Sequence, residues 1–228
     1  APTPQLDTPH ARRRVSLADY EYADLIDDQD KVRTLIDPTS TYAQAAAFAM
    51  GRAMDDVIIS AATGTAFTGV SGGTSTSLPG GQAITESGTD GLTIAKLRNA
   101  KRIMDLNSVD ASIPRYIVVS PRQIDDLLGT TSVTSADFNT VRALVTGEVN
   151  TFMGFQFIVS NRLSIASSKR LCFAYAADGI KLAVGKDVMS RIDERSDKGY
   201  ATQIYYCMSI GATRMEEDKV VSIQAHEA

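Results

Sequence analysis

One long apolar segment constrains the fold of this chain more than any other feature of its sequence. Residues 40–63 consist mostly of alanine and larger apolar residues. At 1.5 Å per residue they predict one helix of about 24 residues and roughly 36 Å. Asp37-Pro38 and the hydroxyl side chains that follow predict its start, because proline fits the first helical turn and Ser or Thr caps it. Gly64 is predicted to end it as a left-handed residue.

The polar residues of this segment are predicted to form one narrow stripe, with the rest of the circumference buried. Its alanines and Gly51 are predicted to let neighbouring backbones approach closely. Charges at Arg52, Asp55 and Asp56 are too costly in a bilayer for a membrane span, and Arg52 is predicted to pair with one of the two aspartates. We interpret the segment as a structural spine, called the spine helix below. The stripe consists of Gln44, Arg52, Asp55 or Asp56, and Ser60.

Length and composition predict an ordinary folded protein. The 228 residues are 43% hydrophobic and 22% charged, which is enough for a sizeable core. The net charge of -4 argues against a basic nucleic-acid surface over the whole molecule. Cys172 and Cys207 lie in apolar runs and are predicted to be small buried hydrophobes. No signal peptide or transmembrane span is predicted.

The first part of the chain is predicted to be extended. Residues 1–36 carry strand-forming side chains without clean alternation, which suits an arm or hairpin on another surface better than a core strand. Two interpretations stay open: a solvated charged strand, or an arm that docks on a neighbouring copy of the chain. The basic residues of the arm are Arg12, Arg13 and Arg14, and its acidic residues are Asp24, Asp27, Asp28 and Asp30.

Residues 64–91 are rich in Gly, Ser and Thr and are predicted to form a long loop. A helix over Thr93–Leu106 is predicted to follow, with its apolar side chains facing inward. Its outward side carries Lys96, Lys101 and Arg102. These three basic side chains are either simply solvated or contact nucleic acid.

The remaining sequence mixes strands and short helices without a regular βαβ repeat, which predicts an α+β fold. A buried strand is predicted over 116–120, then a helix over 121–128 that Gly129 ends, and another helix over 137–145. Ala177-Asp178-Gly179 predicts a hairpin turn. Further strands are predicted over 155–160, 171–176, 180–184, 188–192, 202–210 and 220–223.

The sequence offers few groups for catalysis. His10 and His226 lie in the terminal segments, which removes the commonest general base from the folded body. Residues 69–73 match G-x-S-x-G, but a nucleophile elbow needs a strand before the serine and a helix after it. A hydrolase using Ser71 is therefore only a remote alternative. The adjacent acid pairs at 55–56, 125–126 and 216–217 do not face one another. No catalytic, cofactor-binding or metal site is predicted.

Four segments, in this order, together resemble the major capsid proteins of tailed bacteriophages, which have the Hong Kong ninety-seven capsid fold. The first is Arg52-Ala-Met-Asp-Asp-Val-Ile with the closing Gly64-Thr-Ala, and the second covers residues 91–101. The third covers residues 152–163, and the fourth covers residues 192–217. Together they span most of residues 15–224.

The resemblance implies a division of the chain into domains. Residues 1–36 would form an extended arm and the returning strand of the extended loop, and residues 37–90 a peripheral domain with the spine helix. Residues 91–197 would form the axial domain, and residues 198–228 further strands of the peripheral domain. We expect the family's N-terminal arm and the ascending half of its extended loop to precede Ala1.

The resemblance also implies a structural subunit, not an enzyme, that assembles with itself into pentamers and hexamers of an icosahedral shell around double-stranded DNA. Contact with the DNA would be non-specific, scaffold, portal and decoration proteins would be further partners, and no membrane would be involved. The protein would belong to the virion and assemble in the host cytoplasm. A cellular compartment shell of the same fold is the alternative. Candidate subunit-interface residues are Arg12, Arg13, Arg14, Asp24, Asp27, Asp28, Glu216 and Glu217.

Overall fold

The computed structural model describes residues 11–27, 38–85, 88–129 and 151–227. Within these ranges the α-helices are α1 (Pro38–Thr63), α2 (Ile94–Leu106) and α3 (Pro121–Gly129). Helices and strands alternate irregularly along the chain, which confirms the predicted α+β class. The strands are β1 (Arg13–Arg14), β2 (Ala18–Ile26), β3 (Ala66–Thr68), β4 (Thr74–Thr76), β5 (Ala83–Ile84), β6 (Arg115–Val119), β7 (Thr151–Phe152), β8 (Phe155–Val159), β9 (Ile165–Ala166), β10 (Lys169–Ala176), β11 (Ile180–Arg195), β12 (Ala201–Arg214) and β13 (Val220–His226).

The largest sheet in the described part of the chain runs in the order β5-β13-β10-β6-β8-β7, with β9 paired to β10. The pairs β13–β5 and β6–β8 are parallel, and the other pairs are antiparallel. Its apolar side chains and the buried side of α2 form the main core, which includes Leu97, Met104, Phe155 and Phe173. The strands predicted over 116–120, 155–160, 171–176 and 220–223 are confirmed here.

A second sheet packs against the spine helix. Its order is β11-β12-β2, and all its pairs are antiparallel. Met208 and Ile210 of β12 form a small core with Met50 of α1, and Tyr206 packs at its margin. This confirms that these alternate residues of β12 share one face. β2 therefore lies beside β12 of its own chain.

α1 confirms the predicted spine helix but not its predicted burial. Met50 is buried, whereas Phe48 is 64% exposed. A Cβ added at Gly51 would meet nothing within 4 Å, so the predicted crowding of backbones there is wrong. Gly64 donates its N–H to the carbonyl of Ser60 at 3.0 Å and is not among the residues with positive φ. The helix therefore ends without the predicted left-handed glycine.

The strands correct two other expectations. Residues 64–91, predicted as one loop, contain the hairpin β3–β4, which pairs with β1 to form a third sheet, and they also contain β5. β11 is one continuous strand instead of two, because register shifts at 184/186 and 186/189 absorb its irregularity.

Lys96, predicted to face outward, is buried. Its Nζ donates to the carbonyls of Asp90 at 2.8 Å and Gly91 at 2.7 Å. The helix predicted over 137–145 lies outside the described residues. The predicted domain division remains a prediction; β13 pairs with β10, and β11 pairs with β12.

Candidate functional site

A buried arginine joins three parts of the fold. Arg214, the last residue of β12, is fully buried. Its Nη1 donates to the carbonyl oxygens of Ala62 (3.1 Å) and Gly64 (2.8 Å), and its Nη2 donates to that of Thr76 (3.2 Å). A guanidinium in this position satisfies carbonyls that a helix end leaves free and complements the negative end of the helix dipole. The end of the spine helix is therefore fastened to β12 and to β4.

Arg13 and Glu217 complete this buried cluster. The Glu217 carboxylate lies 3.6 Å from Nε of Arg214 and accepts a hydrogen bond from Nη2 of Arg13 at 2.5 Å. Nε of Arg13 donates to the carbonyl of Met215 at 2.8 Å. Burial lowers the pKa of Arg214; the Glu217 charge partly offsets this shift, and the Arg13 charge adds to it. The cluster therefore ties β1 to the segment that follows β12.

Arg13 and Glu217, both predicted at a subunit interface, thus pair with each other inside one chain. Ion pairs within the described residues join no other two members of the predicted set. Arg12 is exposed, and the guanidinium of Arg14 lies 5.4 Å from the centre of the Phe67 ring. Glu216 lies 3.1 Å from Nζ of Lys219.

The acidic members of the set lie on and beside β2. Asp24 accepts hydrogen bonds from the N–H of Leu25 at 2.9 Å and from the hydroxyl of Tyr22 at 3.4 Å. Burial, followed by the charge of Asp24, raises the pKa of Tyr22. Asp27 is exposed, and Asp28 lies outside the described residues. Asp24 therefore already accepts hydrogen bonds within its own strand, whereas the exposed Asp27 can contact another molecule.

β11 presents a surface that sequence reasoning missed. In the described part of the chain it is an edge of its sheet and is exposed along nearly its whole length. Val184, Met189 and Ile192 are among its exposed apolar side chains. An edge strand offers a row of backbone N–H and C=O groups to another chain. The apolar residues of 180–184 and 188–192 were a visible signal, but they predict burial without identifying the surface that would cover them.

The described residues contain little that could do chemistry. Ser71 lies in the turn between β3 and β4, so no helix follows it and the geometry of a nucleophile elbow is absent there. Burial raises the pKa of the Cys172 thiol to about 12, which keeps this thiol neutral and unreactive. Within the described ranges, no three His, Cys, Asp or Glu side chains group so as to hold a metal ion.

Two of the adjacent acidic pairs supply a carboxylate to an ion pair, one with another part of the chain and one within its own helix. Asp56 pairs with Arg162, which lies between β8 and β9, and not with Arg52 as predicted. Asp126 lies 3.6 Å from Arg122. In the part of the chain that the structure describes, no helix is long and apolar enough to span a bilayer.

A family model described as "Phage capsid protein" matches residues 1–227. The solved capsid structure of Cyanophage P-SCSP1u matches with a TM-score of 0.67 and 19% identity, covering 100% of this chain and 79% of that chain. The capsid of Ralstonia phage GP4 matches with a TM-score of 0.69 and 11% identity, covering 95% of this chain and 74% of that chain.

A structure of the holo-SrpI encapsulin complex from Synechococcus elongatus PCC 7942 also matches. Its TM-score is 0.57 and its identity 11%, with 93% of this chain and 74% of that chain covered. The comparison with curated proteins found no match. The structural likenesses are at low identity, so they show a shared fold, and they confirm the fold that the sequence resemblance predicted.

Proposed function

Since this chain belongs to the phage capsid protein family and is therefore a structural subunit of a capsid shell in the virion, we propose that its copies form pentamers and hexamers of an icosahedral shell around double-stranded DNA. The observation that carries the proposal is the family match over residues 1–227 on a chain with the capsid fold. Scaffold, portal and decoration proteins, and assembly in the host cytoplasm, belong to the same proposal. We also propose that the subunit has no catalytic activity.

The exposed apolar surface of the single subunit supports self-assembly. Phe48 on the spine helix and Val184 and Ile192 on β11 are all exposed to solvent, and they are candidates for burial against another molecule. In a closed shell the abundant partner for such side chains is another copy of the same chain. Assembly would then bury apolar side chains that the isolated subunit exposes to solvent.

Light scattering and electron microscopy on the purified full-length protein test this proposal. We expect particles of megadalton mass with icosahedral symmetry, and an absorbance ratio typical of nucleic acid when the particles are isolated from the producing cells. A chain that stays monomeric when scaffold and partner proteins are supplied would contradict the proposal.

A cellular compartment shell is the second candidate, and the likeness to the encapsulin structure favours keeping it. That likeness concerns the fold alone, because identity is 11%. The content of the particle separates the two functions. An enclosed enzyme without nucleic acid would favour the compartment, whereas enclosed double-stranded DNA favours the virus shell.

We keep the predicted subunit interface in the proposal, but with fewer residues. Arg13 and Glu217 are engaged within the chain, and Arg14 lies over the Phe67 ring. Among the described members of the set, Arg12 and Asp27 are the exposed charges for which no such contact is found. We propose that these two contact neighbouring copies. We propose the predicted domains with one change. β11 and β12 join the spine helix, because they pair with each other and β12 packs on that helix. β13 joins the largest sheet, because it pairs with β10.

A further inference from the structure

The outward side of α2 holds three positive charges in a fixed arrangement. Arg98, Lys101 and Arg102 are exposed, and their spacing of i, i+3 and i+4 puts them on one helical face. The opposite side of the helix is anchored, because Leu97, Ala100 and Met104 are fully buried in the main core. We call the three cations the basic face of α2. The rigid core behind them fixes their relative positions.

No carboxylate of the described residues neutralises the basic face. In the described part of the chain, none of the three cations forms an ion pair. Asn99 accepts from Nη2 of Arg102 at 2.9 Å, which orients the guanidinium without cancelling its charge. The nearby Asp105 is paired with Arg115 at 2.7 Å.

This contrasts with the arginines elsewhere in the described chain that face carboxylates. Arg170, for example, pairs with Glu227 at 2.5 Å, and Arg13 pairs with Glu217 at 2.5 Å. The whole chain carries a net charge of -4, so the basic face does not follow from an overall excess of cations. It is a local concentration of positive charge on an acidic subunit.

We propose that the basic face of α2 binds the phosphate backbone of the packaged nucleic acid. The proposal rests on the proposed function, since it names the surface through which the subunit touches the enclosed DNA. Planar guanidinium groups match phosphate oxygens in a bidentate manner, and two of the three residues are arginines. The ammonium of Lys101 adds a third point charge beside the turn at Gly154, where a Cβ would lie 3.8 Å from its Nζ.

Phosphates fit this face better than an acidic protein surface does. Protein interfaces are usually centred on buried aromatic or other large apolar side chains. Beside the cations lie Ala95, Asn99 and Asp105. The exposed Leu106 at the end of the helix is a single large apolar side chain, not a buried cluster of them. Contacts made by charges alone also carry no base-sequence information, as a shell protein requires.

The test compares two full-length triple variants of equal charge change. The test variant is R98Q/K101Q/R102Q, in which glutamine preserves helix propensity. The control variant is K181Q/K186Q/R191Q, which removes three exposed cations from β11. Binding of each protein to a duplex DNA fragment of arbitrary sequence is measured by fluorescence anisotropy between about 50 and 200 mM salt.

We expect the slope of log K against log salt to fall in magnitude by about 3 in the test variant, because each lost phosphate contact removes about 1. The control variant should keep the wild-type slope. Circular dichroism and urea unfolding of the test variant should match the wild type, since the three side chains are exposed.

Three outcomes would overturn the inference, and they differ visibly. If both variants have the same slope while the wild type still forms particles and binds DNA, the basic face does not bind DNA. The proposed function would then stand without this inference. Loss of particle assembly with an unchanged slope would show that the face meets an acidic surface of a second copy. If the wild type forms no particles and binds no DNA, both the proposed function and this inference are wrong.

Discussion

At the scale of single residues, Arg214 holds the end of the spine helix against β12 and β4. Replacing it by Met leaves the carbonyls of Ala62, Gly64 and Thr76 without their donor. It also leaves Glu217 with Arg13 as its remaining cation. Breaking a buried charge network in this way costs about 3–5 kcal/mol. We therefore expect Arg214→Met to lower the free energy of unfolding by that amount, measured by urea denaturation of unassembled subunits.

Arg191→Met is the matched control for this prediction. Arg191 is exposed on β11, so the same substitution there should change the free energy of unfolding by less than about 0.5 kcal/mol. If both variants unfold at the same urea concentration, the buried cluster does not hold the end of the spine helix in place.

Glu227 gives a second prediction at the residue scale, through pH. Its carboxylate accepts hydrogen bonds from Arg170 (2.9 Å), Gln123 (3.1 Å) and Ser120 (2.9 Å). These bonds, that from Arg170 above all, lower the pKa of Glu227 from 4.5 to about 2. Because the folded pKa lies below the unfolded one, the stabilisation is complete above the unfolded pKa and is lost as pH falls towards the folded one.

Between neutral pH and about pH 3 this group should lose about 2 kcal/mol of stabilisation. Glu227→Gln should therefore show a smaller loss of stability than the wild type over this interval, while Glu216→Gln, at an exposed carboxylate, should follow the wild type. Urea denaturation at the two pH values measures the difference. Parallel acid sensitivity of wild type and Glu227→Gln would contradict the assignment.

At the scale of elements, two glycines should respond oppositely to alanine. Gly51 lies within α1, and an added Cβ there meets nothing within 4 Å. Gly51→Ala should raise the free energy of unfolding by about 0.5–1 kcal/mol, because alanine favours the helix. In β12 an added Cβ at Gly211 would collide with the carbonyl oxygen of Ser16 and with Val15. Gly211→Ala should therefore lower the free energy by about 1–3 kcal/mol; two equal effects in urea denaturation would contradict this packing.

Elements set by local patterns were predictable from the sequence, and elements set by distant contacts were not. The apolar run after Pro38 predicts α1, and the inward spacing of apolar side chains predicts the helix over Thr93–Leu106, each from its own residues. In the structure the Thr93 hydroxyl caps α2 by accepting from the N–H of Lys96 at 3.4 Å. The contact of Arg214 with the end of α1 joins residues far apart along the chain, and no local pattern encodes it.

The burial of the spine helix was misjudged for a physical reason. Apolar composition predicts that a surface avoids water, but it does not say whether the cover comes from the same chain or from another copy. Met50 is covered within the chain, and Phe48 is not. The predicted interface residues show a related limit: Arg13 and Glu217 have the charge expected at an interface, and within the subunit they pair with each other.

At the scale of the whole molecule, assembly should depend on side chains that the isolated subunit leaves open. Phe48 is 64% exposed on α1, so Phe48→Ser should leave the free energy of unfolding of the subunit within about 0.5 kcal/mol of the wild type. Covering a phenylalanine at a contact between copies contributes about 1.5–3 kcal/mol. Its loss should raise the protein concentration needed for assembly about ten- to hundredfold.

Val70→Ser is the matched control, because Val70 is 90% exposed in the turn between β3 and β4 and the change also removes an exposed apolar side chain. Light scattering against protein concentration gives the assembly threshold of each variant, and urea denaturation of unassembled subunits gives stability. A threshold raised only in Phe48→Ser, at unchanged stability, means that another copy covers the spine helix. Identical thresholds for the two variants would mean that Phe48 stays in solvent in the shell. Assembly would then be driven from other surfaces, such as the exposed edge of β11, the longest strand in the described chain.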